Sequence, residues 1–591
     1  MTLLENLKKE LQKILRELNY PSLEDESKFE VSFIDEANLK FGDIFTNVAM
    51  LLAKETNKNL KEIAKEITEN IQENINSSGR FSKIIKEVNV APNGFINFIL
   101  QEEFLIKEVE RLANLEFIET KFTNKKVLVE HSSPNLFKPF HIGHLMNNII
   151  GESIVRMMQS TNADLRTMSF PSDISLGIAK AIYILKNKKN WSFFNEDIIR
   201  TLGEAYSEGV KFYEENIDKQ EEIKLIARNL FERNEETEDY QIFQRAKEVN
   251  INYFNKVVSL LGTKFDNLIF ESQAGLRGEE IVKSNLSKVS EKEVFEFGEN
   301  NAVVFDTKKR KNNETEETIK SVFINSEGNP TYEAKDLGLL DLKYNYFPFD
   351  YNFFVTDNEQ VPHFEVVLMA ARELGDRWVS IAEKSQHIPH GRLNLKGERM
   401  SSRLGNILTV EETLKIVNEK ALERISLKAG NISSVEKEIL VKNISLSALR
   451  IAILKSRPGL NIDFDFETSL NFDGATGPYL LYTYARANSI LDKVEDLEKT
   501  GKQVSENALP LLKKIIQFEA ATKKGIEELA PQGVVNYLFE LAQAFNTFYA
   551  KEKIISEDEK NTHQNIFIVK NFIKVFKFAL NMIGIEEVSK M

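Results

Sequence analysis

The chain contains no cysteine among its 591 residues. This absence excludes disulfide bonds, thiolate catalysis and cysteine-ligated zinc, and it fits a reducing cytoplasm, where we expect the protein to act. Histidine is also scarce: seven residues lie scattered along the chain, so the sequence predicts no histidine metal site. The N-terminus is charged rather than apolar and no apolar run approaches a membrane span, so we predict neither a signal peptide nor a membrane partner.

Positive charge is in short supply. The chain has 77 Lys and Arg against 90 Asp and Glu, which gives a net charge of −13. This balance argues against indiscriminate binding to nucleic acid. It does not exclude one specific RNA partner, because RNA binding depends on the charge of the contact surface rather than on the net charge. A length of 591 residues exceeds one hydrophobic core, so we expect three or more domains.

A buried strand, a polar loop and the N-terminus of a helix, which we call the helix mouth, follow one another in the stretch VLVEHSSPNLFKPFHIGHL. The pattern predicts a strand over Val127–Glu130, a loop over His131–Pro139 and a helix that opens near His141. This order is typical of the first half of a nucleotide-binding βαβ unit. The N-terminus of such a helix offers free N–H groups and a positive dipole end to a phosphate.

The mouth of this helix carries two histidines and a glycine. His141 and His144 are three residues apart, so they share one helix face and both can donate to phosphate oxygens. Gly143 has no side chain, so a flat base can approach the backbone there. The alternative is that two histidines merely cap an ordinary helix.

Two motifs resemble those of class I aminoacyl-tRNA synthetases. His141-Ile142-Gly143-His144 resembles their HIGH signature, and the preceding EHSSPNLFKPF, which starts at Glu130, resembles the more specific arginyl-tRNA synthetase version. Arg399-Met400-Ser401-Ser402-Arg403 resembles the KMSKS loop, with Ser402 in place of the second lysine. Much of the arginyl family shares that departure, and a lysine just before HIGH is thought to replace it. Lys138 occupies that place and can reach the triphosphate as a compact point charge.

The resemblance implies that the protein ligates L-arginine to its tRNA in two steps. Arginine and ATP give arginyl-adenylate and pyrophosphate, and the 2′-OH of the 3′-terminal adenosine of the tRNA then takes the arginyl group. ATP enters as its Mg²⁺ complex, held mainly by phosphates and water, and no permanent cofactor or protein metal site is implied. Family members generally need tRNA to activate arginine. The implied catalytic and ATP-binding residues are Lys138, His141, Gly143, His144, Arg399, Met400, Ser401, Ser402 and Arg403.

A pocket for arginine needs acceptors, because a guanidinium has five donors in a planar fork and no acceptor. The resemblance implies that Glu130, Tyr332 and Asp336 surround the guanidinium. It also implies that the amino and carboxylate groups are held by Ser133, Asn135 and Gln360. Taken singly, Glu130 or Asp336 can instead be a structural ion pair with an internal lysine or arginine.

Three further residues are weaker candidates. Asp173 ends the second parallel strand, at the edge where open α/β sheets bind ligands, but Ile174 follows it where many relatives have tryptophan. Tyr484 and Arg486 begin a C-terminal bundle and are candidates for stacking on unpaired anticodon bases, with core packing as the alternative. The basic run Lys308–Lys311 is either a solvated hairpin tip or an RNA contact.

The expected fold is α/β: a Rossmann-like class I catalytic core with an N-terminal α+β domain and a C-terminal all-α bundle. We assign residues 1–115 to a tRNA-contacting domain and 116–420 to the catalytic domain, with a helical and hairpin insertion over about 187–320. A helical connection over 421–472 leads to the anticodon-binding domain, 473–591. We expect a monomer whose partners are arginine tRNA, L-arginine and ATP.

Two alternatives compete with this reading. One is a class I synthetase for a different amino acid, and the other is a catalytically inactive relative that only binds tRNA or senses an amino acid. The presence of His141, His144 and Lys138 together favours the enzyme.

Overall fold

The computed structural model describes residues 2–20, 29–188, 191–194, 197–286, 294–307, 320–396, 408–426, 433–494 and 504–591. The chain divides into two compact units. One combines Met1–Thr120 with Tyr479–Met582 and Glu586–Met591, and the other combines Lys121–Pro478 with Ile583–Ile585. The predicted stretches Lys308–Lys311 and Arg399–Arg403 lie outside the described residues.

The N-terminal part of the first unit is α+β. Its first helix begins after Thr2, which forms a reciprocal capping box with Glu5. Four antiparallel strands form a sheet in the order β1-β2-β4-β3. The elements are α1 (Leu3–Glu17), β1 (Val31–Phe33), β2 (Ile44–Thr46), α2 (Val48–Thr56), α3 (Leu60–Asn76), β3 (Ile85–Val90), β4 (Ile96–Leu100) and α4 (Glu102–Ala113).

The second unit alternates strands and helices. Up to the insertion it contains β5 (Lys126–Glu130), α5 (Ile142–Gln159), β6 (Asp164–Ser169) and α6 (Leu176–Asn187). Next come α7 (Ile198–Glu215), α8 (Gln220–Phe231), α9 (Glu238–Leu260), β7 (Asn267–Leu268), α10 (Glu271–Ser284), β8 (Glu296–Phe297), β9 (Val303–Asp306) and β10 (Lys320–Ile324). The remainder is α11 (Tyr332–Tyr346), β11 (Tyr351–Asp357), α12 (Val361–Glu373), α13 (Asp376–Glu383), β12 (Ser385–His390), β13 (Leu393–Lys396), α14 (Val410–Ser426), α15 (Ser434–Leu454), β14 (Ile462–Asp465) and α16 (Phe466–Ser469).

Five parallel strands form the central sheet of this unit, in the order β12-β11-β5-β6-β7. The middle strand β5 is buried from Val127 to Glu130, as expected for a strand covered on both faces. Helix α5 connects β5 to the neighbouring parallel strand β6, so the predicted βαβ start is confirmed. The carboxyl ends of β5, β6 and β11 therefore meet at one edge of the sheet.

Two apolar clusters of described residues belong to this unit. One joins α10, α11 and α12, with Phe295, Phe305 and Phe323 at its hairpin side. The other joins α6 to the insertion helices α7, α8 and α9, which together bury residues such as Ile182, Leu202 and Phe243. The insertion is thus a helical packing layer with its own core.

Five helices complete the chain: α17 (Gly477–Leu491), α18 (Leu509–Ile515), α19 (Phe518–Glu527), α20 (Pro531–Lys551) and α21 (Glu559–Met582). Phe545 of α20 stacks on Phe572 of α21 with ring centroids 4.2 Å apart. Helix α4 packs against α18 and α21, so the bundle and the N-terminal domain form one unit. The predicted fold, an α/β core with an N-terminal α+β domain and a C-terminal helical domain, is confirmed. Within the described ranges, every helix is too short or too polar to cross a bilayer.

Candidate active site

His141 caps helix α5, and its ring is fixed by the backbone. Its Nδ1 accepts from the N–H of Gly143 at 3.1 Å, and Nδ1 of His144 accepts from the N–H of His141 at 3.1 Å. An accepting Nδ1 places the ring proton on Nε2, so both rings keep an Nε2–H that can donate. The rings stack with centroids 3.9 Å apart, and Phe140 stacks on His144 at 4.6 Å.

Both histidines are neutral at pH 7. Burial lowers the pKa of His141, and the nearby Lys138 ammonium lowers it further. Burial lowers the pKa of His144 well below its usual value, and the nearby Lys138 ammonium lowers it further. Neutral rings with fixed tautomers offer hydrogen bonds to a phosphate without a charge of their own.

The free N–H groups expected at this helix mouth are not found. The N–H of Ile142 donates to Leu408 O at 3.1 Å, that of Gly143 to the His141 ring, and that of His144 to His141 O at 2.8 Å. The first turn is therefore satisfied internally, and the imidazole Nε2–H groups take over the donor role. Gly143 leaves space for this arrangement, because a Cβ there would lie 3.0 Å from Cε1 of the His141 ring and would displace the ring.

Two residues of the loop before the helix adopt left-handed backbone conformations. Ser132 has φ 58° and Phe137 has φ 65°, which costs about 1 kcal/mol or more for residues other than glycine. An asparagine side chain holds each one. Asn147 of α5 accepts from the N–H of Ser132 at 2.6 Å, and Asn250 of α9 accepts from the N–H of Phe137 at 3.1 Å.

Lys138 is half-buried in the same loop. Its Nζ lies 4.5 Å from the centroid of the Tyr206 ring, which belongs to the helical insertion. Its charge acts on both His141 and His144, so the ammonium lies close to the helix mouth.

The chain after the Arg399–Arg403 motif returns to this mouth. The N–H of Val410 donates to Phe140 O at 2.8 Å, and His141 forms an antiparallel bridge with Thr409. Thr409 and Val410, which follow the motif in the sequence, are therefore anchored beside the two histidines.

Glu130 and Asp336 line one cavity together with Lys343 and the rings of Phe354 and Phe364. Glu130 is the last residue of β5 and forms an ion pair with Lys343, whose side chain is 2% exposed. Asp336 and Lys343 are seven residues apart on α11 and so share one helix face. The pocket therefore contains two carboxylates and one internal ammonium.

Asp336 has a cationic partner as well. Its Oδ2 lies 2.6 Å from Nε2 of His363 on α12. Burial lowers the pKa of His363, but the hydrogen bond to Asp336 and the nearby Glu333 carboxylate outweigh burial and raise the pKa to about 9. His363 is thus an imidazolium at neutral pH, and the Asp336 carboxylate is held in one orientation.

The other proposed arginine contacts are not among the residues that line this cavity. Tyr332 begins α11 one turn before Asp336 and is 70% exposed. Ser133 and Asn135 follow β5, and the exposed Gln360 follows the neighbouring strand β11. The hydroxyl of Ser133 accepts from the N–H of Phe170 at 3.1 Å. These residues stand at the same edge of the sheet as the helix mouth.

Asp173 does not reach the surface of the site. Its carboxylate is fully buried and accepts from Ser272 N at 2.9 Å, Ser272 Oγ at 2.8 Å and Lys247 Nζ at 2.6 Å. These bonds tie the end of β6 to α9 and α10, a structural role that the position at the strand end did not indicate.

The first helix of the C-terminal bundle presents an arginine between aromatic rings. Tyr484 is only 6% exposed because it faces the core, which agrees with the core-packing alternative for this residue. Arg486 donates to Asn546 Oδ1 at 2.6 Å, and its guanidinium lies 4.6 Å from the Tyr482 ring and 5.1 Å from the Tyr549 ring. Tyr482 and Tyr549 are exposed, and the sequence analysis missed both.

Lys343 and His363 were also missed. The signal for Lys343 is a lysine on the buried face of α11, which must have a carboxylate partner. In the described part of the chain, no cluster of three or more histidine, aspartate or glutamate side chains is arranged to hold a metal ion.

Three families match successive parts of the sequence: "Arginyl tRNA synthetase N terminal domain" over residues 2–100, "tRNA synthetases class I (R), catalytic domain" over 110–466, and "DALR anticodon binding domain" over 480–591. An arginine–tRNA ligase of Clostridium perfringens is 30% identical over 481 residues, covering 79% of this chain and 80% of the relative. One of Borrelia hermsii is 27% identical over 537 residues, covering 88% and 90%. The solved structure of Thermus thermophilus arginyl-tRNA synthetase superposes with a TM-score of 0.82 at 22% identity, with both chains fully covered.

Proposed function

Because this chain belongs to the arginyl-tRNA synthetase family of class I aminoacyl-tRNA synthetases, we propose that the α5 mouth and the adjoining carboxylate pocket carry its arginine–tRNA ligase reaction. The arginine carboxylate attacks the α-phosphate of ATP, and pyrophosphate leaves. The 2′-OH of the terminal adenosine then attacks the adenylate carbonyl, and AMP leaves. No enzyme nucleophile is needed, so positioning and neutralisation of charge supply the catalysis.

His141, His144 and Lys138 bind the phosphates of ATP in this proposal. The support is geometric: two fixed Nε2–H donors and one ammonium converge beside the helix mouth. Gly143 leaves room for the cap and the nucleotide. Mg²⁺ accompanies ATP, bound by its phosphates and water. The second phosphate-binding set comprises Arg399, Met400, Ser401, Ser402 and Arg403, where Lys138 replaces the ammonium that Ser402 lacks.

Glu130, Asp336 and Tyr332 bind the guanidinium, and Ser133, Asn135 and Gln360 hold the amino and carboxylate groups. The observation that carries this assignment is the shared cavity of Glu130 and Asp336, at the end of the strand that leads to the helix mouth. Arginine bound there has its own carboxylate directed toward the ATP phosphates. The internal cations Lys343 and His363 hold the two carboxylates in ion pairs and so fix their orientation.

The end modules bind the tRNA. Tyr482 and Tyr549 flank the Arg486 guanidinium on an exposed surface of the bundle, a suitable platform for unpaired bases. Tyr484 is buried in the bundle core and lies outside this platform. We assign tRNA contacts to 1–115, catalysis to 116–420, a connection to 421–472 and anticodon binding to 473–591. We also propose a cytoplasmic monomer, which size-exclusion chromatography with light scattering tests.

Amino-acid-dependent ATP–pyrophosphate exchange tests the site. We expect exchange with arginine in the presence of tRNA, and Asp336→Asn should raise the KM for arginine at least about tenfold while changing the KM for ATP less than about twofold, because the lost hydrogen bonds are charge-assisted. Glu383→Gln, an exposed carboxylate on α13, serves as the matched control. Exchange with lysine or glutamine but not arginine would overturn the substrate, and equal losses for arginine and ATP would give Asp336 another role.

A further inference from the structure

Helix α9 of the insertion contacts the catalytic loop through one face. Asn250, Tyr253 and Phe254 are spaced as i, i+3 and i+4, so their side chains point the same way. Asn250 holds the left-handed Phe137, and the Phe254 ring packs edge-on against Phe140 with centroids 5.7 Å apart. The insertion therefore braces the loop that leads into His141.

Tyr253 differs from its two neighbours because its hydroxyl reaches two segments. It donates to Glu411 Oε2 at 3.0 Å and accepts from the N–H of Phe140 at 3.4 Å. Phe140 immediately precedes His141, and Glu411 is the second residue of α14, the helix that follows the Arg399–Arg403 motif. One phenol thus joins three parts of the unit: the insertion, the α5 mouth and the start of α14.

The protonation state of Tyr253 suits this bridging role. Burial raises the pKa of Tyr253, and the Glu411 carboxylate raises it further, so the hydroxyl remains a donor throughout the physiological range. Its bond to a carboxylate is charge-assisted and therefore among the stronger side-chain hydrogen bonds. The backbone bridge between His141 and Thr409 connects the same two segments, but it does not reach the insertion.

We propose that Tyr253 is a positioning residue for ATP, which fixes the α5 mouth against the start of α14 so that His141 and His144 keep their positions toward the nucleotide. The inference rests on the proposed role of His141 and His144 in ATP binding. Removal of the hydroxyl leaves the ring packing intact but releases the second residue of α14. A displacement well below 1 Å at the histidines is sufficient to weaken phosphate contacts.

Tyr253→Phe is the direct test, measured by ATP–pyrophosphate exchange with the full-length chain. We expect the KM for ATP to rise about 5- to 20-fold, with the KM for arginine within about twofold and the melting temperature nearly unchanged. Tyr240→Phe is the matched control, since Tyr240 is a buried tyrosine of the same helix that packs in the insertion core. An unchanged KM for ATP, or equal losses for ATP and arginine, would overturn the inference.

Glu411 supplies a second readout that ring packing cannot mimic. Glu411→Gln keeps an oxygen acceptor and should retain most ATP affinity, whereas Glu411→Ala should reproduce the Tyr253→Phe effect. The double variant Tyr253→Phe with Glu411→Ala should show no further loss, because both changes remove one interaction. Additive effects would contradict the bridge. His144→Asn separates the two proposals: if it leaves the KM for ATP unchanged, the ATP site itself is wrong, and if only Tyr253→Phe is silent, the bridge alone fails.

Discussion

Lys138 has a defined place at the residue scale, because its ammonium rests on the Tyr206 ring within electrostatic reach of both histidines. A cation held on an aromatic face is partly desolvated, so the ammonium can leave the ring and bind a phosphate. We predict that Lys138→Ala lowers the rate of adenylate formation at least about tenfold, because one charge contact to the triphosphate is lost. Single-turnover formation of arginyl-adenylate measures this effect.

The control for Lys138 is Lys125→Ala, an exposed lysine before β5. Circular dichroism should show both variants to be folded. If Lys138→Ala forms adenylate as fast as the unaltered protein, Lys138 does not compensate for Ser402, and the ATP contact must come from elsewhere.

The charge of His363 should make the free energy of unfolding depend on pH. Its pKa of about 9 in the folded protein exceeds the ordinary value of 6.5, so its contribution is fully present below pH 6.5 and is lost as pH rises through 9. The groups facing it are Asp336 and Glu333 on α11 and the neutral His387 on β12. The contribution is about 3 kcal/mol at its maximum.

Urea unfolding without arginine, from pH 6 to pH 9.5, tests this expectation. The stability difference between the unaltered protein and His363→Gln should shrink over this range. A difference that stays constant with pH would show that His363 is not charged in the folded protein.

At the scale of elements, Asp173 connects the end of β6 to α9 and α10 through hydrogen bonds and does not line the ligand pocket. Three donors from Ser272 and Lys247 bind both oxygens of its fully buried carboxylate. We predict that Asp173→Ala lowers the free energy of unfolding by about 3 kcal/mol, because Lys247 loses its buried partner. Urea unfolding measures the loss.

Steady-state kinetics of the same variant separate structure from ligand binding. The KM values for ATP and arginine should stay within about twofold under conditions where the variant is folded. A large rise in either KM at unchanged stability would indicate that Asp173 contacts a ligand after all.

Local patterns were sufficient to predict the β5–loop–α5 unit, because the apolar strand, the polar loop and the helix cap are each encoded by consecutive residues. They located His141 at the cap, which the structure confirms. They could not predict the partners Lys343 and His363, since those contacts join residues far apart in sequence. The expected free N–H groups were wrong for the same reason, because Leu408 supplies an acceptor from another part of the chain.

At the scale of the whole molecule, the two ends of the chain pack into one compact unit. The sequence suggested two separate modules, because linear order does not reveal that α4 packs against α18 and α21. Arg111 of α4 donates to the buried Glu519 of α19 at 2.6 Å, and Lys513 of α18 pairs with Asp43 at 2.5 Å. Charges from one end thus neutralise carboxylates from the other.

Asp43 gives the sharpest test of this shared unit, because its side chain is 2% exposed and its other oxygen accepts from the N–H of Leu100 at 2.8 Å. We predict that Lys513→Met lowers the free energy of unfolding of the unit by about 3 kcal/mol, since a buried carboxylate loses its cation. Lys524→Met, an exposed lysine of the neighbouring helix, should change it by less than about 0.5 kcal/mol. Hydrogen exchange should then report faster opening in both β4 and α18 for Lys513→Met. Faster exchange confined to α18 would mean that the two ends unfold independently.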